Sequence, residues 1–144
     1  MLAGVFLLLG LFLAYLSFTE KAPDAGLSEG KLRACSPKPA CVSTESGEIP
    51  GINLPASVTL EDSIAKISEA IESMGGKIIR AEDAYLWAEF QSRIFRFTDD
   101  LEVRIDAEAR MIHVRSESRA GHHDFGVNRR RIETLRGKLE SRAG

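Results

Sequence analysis

Positive charge is missing from the start of this chain. No Lys or Arg precedes Lys21, so the basic leader of an ordinary cleaved signal peptide is lacking. Cysteine is scarce too. Two in 144 residues exclude a four-thiolate zinc site, and their spacing is not the C-x-x-C of a redox pair. No phosphate-binding loop, dinucleotide fingerprint or haem motif occurs, and nothing calls for a cofactor. A strong charge of either sign is also absent. The net charge of -2 argues against nucleic acid as a partner.

What is present is ordinary for one folded domain, with 44% hydrophobic and 28% charged residues. The charge is unevenly spread. Glu61 to Arg110 holds seven Lys/Arg against twelve Asp/Glu, and Met111 onward holds eight against four. A basic end on an acidic domain either binds an anion or pairs with the domain's own acidic strands.

Leu2 to Phe18 carries no charge. At helical rise it spans about 25 Å, near the lower limit for crossing a bilayer. With no small-x-small cleavage site after Phe18, residues 1–19 read as a signal anchor, with membrane contact through residues 2–18. Secretion after cleavage is the alternative. Residues 20–34 have no hydrophobic period and read as a flexible linker. Cys35 and Cys41 enclose a short loop containing Pro37 and Pro39, which suits a disulfide and an oxidising compartment. Residues 35–144 then form a single domain.

Thr59 with Glu61 and Asp62 marks a helix start, and Leu60, Ile64, Ile67, Ile71 and Met74 form one apolar stripe ended by Gly75-Gly76. Strand signals follow at Lys77–Ala81, Tyr85–Phe97, Leu101–Asp106 and Ile112–Glu117. The last two read as a hairpin that sets Ile105 opposite Ile112, Val103 opposite Val114 and Glu102 opposite Arg115. A final helix begins at Asp124, with Phe125, Asn128, Ile132, Leu135 and Leu139 on one face. The expected fold is therefore α+β: an antiparallel sheet of about four strands, two helices packed on one face, and an N-terminal transmembrane or signal helix before it.

The richest segment runs from Arg115 to Arg131. A strand ends, a turn follows, and a helix begins, which aims free backbone N–H groups at one point. Arg115, Ser116, Ser118, Arg119, Gly121, Asp124, Asn128, Arg129 and Arg131 together form a candidate cradle for an anionic ligand. A purely structural reading uses the same residues. In it Asp124 caps the helix, Asn128 satisfies a buried carbonyl, Gly121 solves backbone geometry, and the arginines pair with Asp99, Asp100 and Glu102.

Three stretches resemble one family, the bacterial and plastid family known as domain of unknown function 1499. They are Cys35 with Pro39-Ala40-Cys41-Val42-Ser43, Ala88 to Glu102, and Val114 to Glu133. The resemblance implies a small envelope domain and no particular reaction. With the uncharged N-terminal segment and the cysteine pair, the expected location is the bacterial inner membrane, single-pass, with the domain in the periplasm. Two positions depart from the family pattern. Ala40 stands where Asn is usual, and His122-His123 stand where an aromatic and a small polar residue are usual.

Enzymatic readings are weaker. His113, His122, His123 and Asp124 supply too few well-spaced ligands for a metal. Ser116 or Ser118 with His122 and Asp124 lacks the surroundings of a nucleophile. Asp99-Asp100 can be drawn as an acid–base pair or as turn residues. The reading with most support is a non-enzymatic binding module for an anionic small molecule, a lipid headgroup or a protein partner. An enzyme using Asp99, Asp100 and His122–Asp124, and a structural subunit of a membrane complex, stand as alternatives.

Overall fold

A computed structural model describes residues 6, 8–12, 15, 24–37, 39–93, 96–121 and 123–141. Helix α1 spans Leu60–Ser73. Thr59 caps it, its hydroxyl accepting from the Asp62 amide at 3.1 Å. Gly75 closes it at φ +88°, and Gly76 turns into the sheet where a Cβ would lie 2.7 Å from the Phe90 ring. Only glycine permits that approach. Helix α2 spans Val127–Ser141.

The strands are β1 (Leu27–Ser28), β2 (Lys31–Leu32), β3 (Cys41–Ser43), β4 (Ile52–Asn53), β5 (Lys77–Glu82), β6 (Tyr85–Gln91), β7 (Thr98–Asp106) and β8 (Met111–Ser118). One antiparallel sheet runs β3-β8-β7-β6-β5, and β4 pairs with β8 beyond the end of β3. Strands β1 and β2 form a separate ribbon.

Six strands therefore replace the expected four. Strands β3 and β4 have three and two residues, too few to show alternation. Strand β7 also starts earlier than its apolar pattern, because Asp99 and Asp100 extend it rather than forming a turn. The expected transmembrane helix is likewise corrected. Among the described residues no helix is long and apolar enough to cross a membrane. Residues 6, 8–12 and 15 are helical, and the rest of 1–19 lies outside the described residues.

The β7–β8 register sets Ile105 opposite Ile112, Val103 opposite Val114 and Glu102 opposite Arg115. Alternation then sends Leu101, Val103, Ile105, Ile112 and Val114 to one side. There they meet Ile67 and Ile71 of α1 and Ile132 and Leu135 of α2 in a single core. Each such side chain, fully buried, stabilises the fold by roughly 1.5–3 kcal/mol.

The other face carries Tyr85, Trp87, Asp100, Glu102, Arg104 and Arg115. It is not open to solvent. Residues 24–36, all but the last two from the region read as a linker, lie across it as a strap. The Gly26 amide donates to Glu102 at 2.9 Å, the Leu32 amide to Glu45 at 3.3 Å, and the Ser36 hydroxyl to Glu117. Leu32 is buried beneath the ribbon. The Cys35–Cys41 disulfide joins the strap's end to β3, with Cα atoms 5.6 Å apart.

Candidate functional site

Beneath the strap the charges are paired. Arg115 donates through Nη1 to Glu102 at 2.9 Å and through Nη2 to Glu117. Glu102, 1% exposed, also accepts from the Tyr85 hydroxyl at 2.7 Å. Burial first, and then this bond, push the Tyr85 phenol well above its ordinary range. Arg119 grips Asp100 with Nε and Nη2, each at 2.8 Å, and reaches Glu89. Its bond to Asp100 raises its pKa further, so it remains a cation. The Trp87 indole donates to the same Asp100 at 2.8 Å. Buried ions persist only when paired and hydrogen-bonded in this way.

On the helix face a second network forms. Arg131 donates to Asp99 at 2.6 Å, to Asn128 at 2.7 Å and to Ser116 at 3.0 Å, and its guanidinium lies 4.5 Å from the Phe90 ring centre. Asn128, fully buried, donates to the Ala40 carbonyl at 2.9 Å and to Ser118 at 3.0 Å, and accepts from Ser116 at 2.6 Å. That bond to Ala40 ties α2 to the residue before Cys41.

The candidate cradle is thus divided by the sheet. Arg115 and Arg119 pair on the strap's side of the sheet; Ser116 and Ser118 face the other side, where Asn128 and Arg131 of α2 meet them. Each of three of its arginines holds a carboxylate of β7, Arg115 with Glu102, Arg119 with Asp100 and Arg131 with Asp99, and Arg115 and Arg119 each hold a second acid, Glu117 and Glu89. Asp99 and Asp100 sit on opposite faces, so neighbouring positions in β7 do not act as a carboxylate pair. Asp124 does not join them. Its carboxylate accepts from the Gly126 and Asn128 amides at 3.0 and 2.9 Å and closes the turn into α2. Burial opposes its ionisation, but those amides hold its pKa below the usual carboxylate value. His122 lies outside the described residues. Among the described residues no three of His, Cys, Asp and Glu are grouped to hold a metal.

Two residues of the segment behave differently. Among the described residues neither Arg129 nor Arg130 has a carboxylate within ion-pair distance, and both are exposed. Between strand and helix stands Phe125, expected on the apolar face of the helix. It instead lies in the turn before α2, 88% exposed and with φ +51°. A bulky residue in the left-handed region is strained, of order 1–2 kcal/mol. The position is also held. Arg130 donates to the Phe125 carbonyl at 3.0 Å, and Asp124 fixes the following amide. Nothing in the sequence separates this aromatic from a core residue, because its helical spacing fits the buried stripe.

Beside the turn runs an open groove of about 550 Å3 between the end of α1 and the outer face of α2. Met74, Phe90 and Val127 form its apolar floor, and Arg130, Thr134 and Lys138 its rim. Its lining contains no carboxylate. A tighter cleft of about 230 Å3 lies at the other end, walled by Leu54, Pro55, Val58, Ile67, Ile112 and Leu139.

Fold and site together define a small disulfide-stapled α+β domain. Three arginines of its richest segment are turned inward, and a basic, aromatic surface lies at the start of the last helix. The chain belongs to the family described as "Protein of unknown function (DUF1499)", whose profile matches residues 31–139. No curated protein matches the chain.

Proposed function

We propose that this is a non-enzymatic recognition domain that docks an anionic partner through the start of α2. The observation behind this reading is the contrast within one segment. Arg115, Arg119 and Arg131 are neutralised internally, while Arg129 and Arg130 have no acid within ion-pair distance among the described residues and stand beside an exposed, conformationally strained Phe125. Strain held in place by surrounding bonds at an exposed site points to function rather than to stability. Exposed aromatic and Arg side chains are also the usual anchors of recognition surfaces. The disulfide supports a location outside the cytoplasm, since such bonds persist in oxidising compartments.

The test is retention on a phosphate-bearing cation-exchange resin at low salt. A chain of net charge -2 is expected to flow through, unless its positive charge is concentrated on one face. Retention that is lost in the Arg129→Gln/Arg130→Gln variant supports the proposal. Flow-through of the parent chain sinks it.

A further inference from the structure

Resting on that reading, we infer that the anionic partner is a phospholipid bilayer, with Phe125 entering the interfacial region and Arg129, Arg130 and Lys138 taking the phosphates. Three observations favour a bilayer over an acidic protein.

Phe125 is 88% exposed in its turn and lines neither of the grooves on its two sides. A lipid interface accepts such a ring without a complementary cavity, and aromatic rings are enriched at that depth. The cations do not converge on one point. Arg129 lines the side of the turn toward the disulfide loop, with Asp124 and Gly126, whereas Arg130 and Lys138 lie on the other side along the groove. A spread of cations around an apolar tip matches a layer of separate phosphates better than one bound ion. Finally, the groove combines an apolar floor, Met74, Phe90 and Val127, with a rim of Arg130, Thr134 and Lys138. That is the order of chemistry met on passing from a phosphodiester to the first acyl carbons. Three carboxylates lie nearby. Asp124 is committed to backbone amides, Glu133 pairs with Arg136 at 3.1 Å, and the exposed Glu48, on the Arg129 side of the turn, is not within ion-pair distance of Arg129 among the described residues.

The experiment must report on residue 125 itself, because exposed apolar side chains elsewhere in the chain can also adsorb to lipid. The full chain carrying Phe125→Trp is mixed with vesicles of phosphatidylcholine containing brominated-acyl phosphatidylglycerol. Fluorescence quenching then reports contact of that ring with acyl chains. Trp87, bonded to Asp100 on the strap face, is the built-in reference in the parent chain. The new indole is expected to be quenched, and Trp87 not. Replacing the phosphatidylglycerol with brominated phosphatidylcholine should remove the effect. Arg129→Gln/Arg130→Gln in the same background should raise the lipid concentration needed by roughly thirtyfold. Circular dichroism of each variant checks that the fold is kept.

Absence of quenching with a folded Phe125→Trp chain overturns the inference. If resin retention persists in that case, the domain still binds anions and an acidic protein becomes the partner. Loss of both results removes the underlying reading as well. Displacement by soluble glycerol phosphate at the same phosphate concentration also overturns the bilayer, by identifying a free phosphate ester as the ligand.

Discussion

Five arginines lie between residues 115 and 131, and they divide into two groups that share a segment and little else. Arg115, Arg119 and Arg131 are almost wholly enclosed, each facing a carboxylate of β7. Arg129 and Arg130 project into solvent from the first turn of α2. The guanidinium chemistry is the same in all five. What differs is the surface that the backbone gives each one. A dense basic motif is therefore no guide to a binding site until its members are sorted by what already neutralises them.

That division makes its strongest demand on stability. Arg115→Met should destabilise the domain by about 3–5 kcal/mol, because Glu102 is left as a buried charge with only neutral donors. Arg129→Met should change stability by less than about 0.5 kcal/mol. Urea unfolding of the two variants gives the comparison directly. Equal losses, or a loss under about 1 kcal/mol for Arg115→Met, would break it.

Part of this division can be read from the chain. Leu101, Val103 and Ile105 alternate with Glu102, Arg104 and Asp106, and Ile112 and Val114 alternate with His113 and Arg115. Those patterns specify the β7–β8 register, and with it the Glu102–Arg115 pair. The acids that a structural reading gives the arginines as a group, Asp99, Asp100 and Glu102, all lie in β7. The strap is not legible. Strands β1 and β2 have two residues each and no period, and their hold on the sheet comes through the backbone amides of Gly26 and Leu32. Amide donors carry no side-chain signature. Phe125 is misread for a related reason. Helical spacing assigns it to the buried stripe, but helical geometry begins only at Val127. The left-handed turn before it rotates the ring away.

Asp124 fixes the turn that leads into α2 and its two exposed arginines, and a smaller effect tests it. Asp124→Ala should cost about 1 kcal/mol at neutral pH, as expected for loss of a helix-capping oxygen. The folded pKa of Asp124 lies below its unfolded value of about 3.8. Its contribution is therefore fully present above that value and fades as pH falls through the lowered folded pKa. Unfolding curves of parent and variant should differ at pH 7 and draw together below about pH 3.8. A gap that stays constant down to pH 2 would mean that the carboxylate's charge contributes nothing to the cap.

The smallest effect carries the most information about function. Phe125→Gly removes a side chain that buries almost nothing and relieves φ +51°. Relief of the left-handed strain, of order 1–2 kcal/mol, is offset by the greater backbone freedom of glycine in the unfolded chain, about 0.5–1 kcal/mol. The variant should be more stable than the parent by roughly 0.5 kcal/mol, seen as a slightly higher urea midpoint at unchanged m-value. Membrane or partner binding should weaken in the same protein. A ring that lowers stability and raises affinity is kept for what it touches outside the molecule. A destabilised Phe125→Gly chain would instead show that the ring is packed in solution, and would return it to the buried group from which the turn separates it.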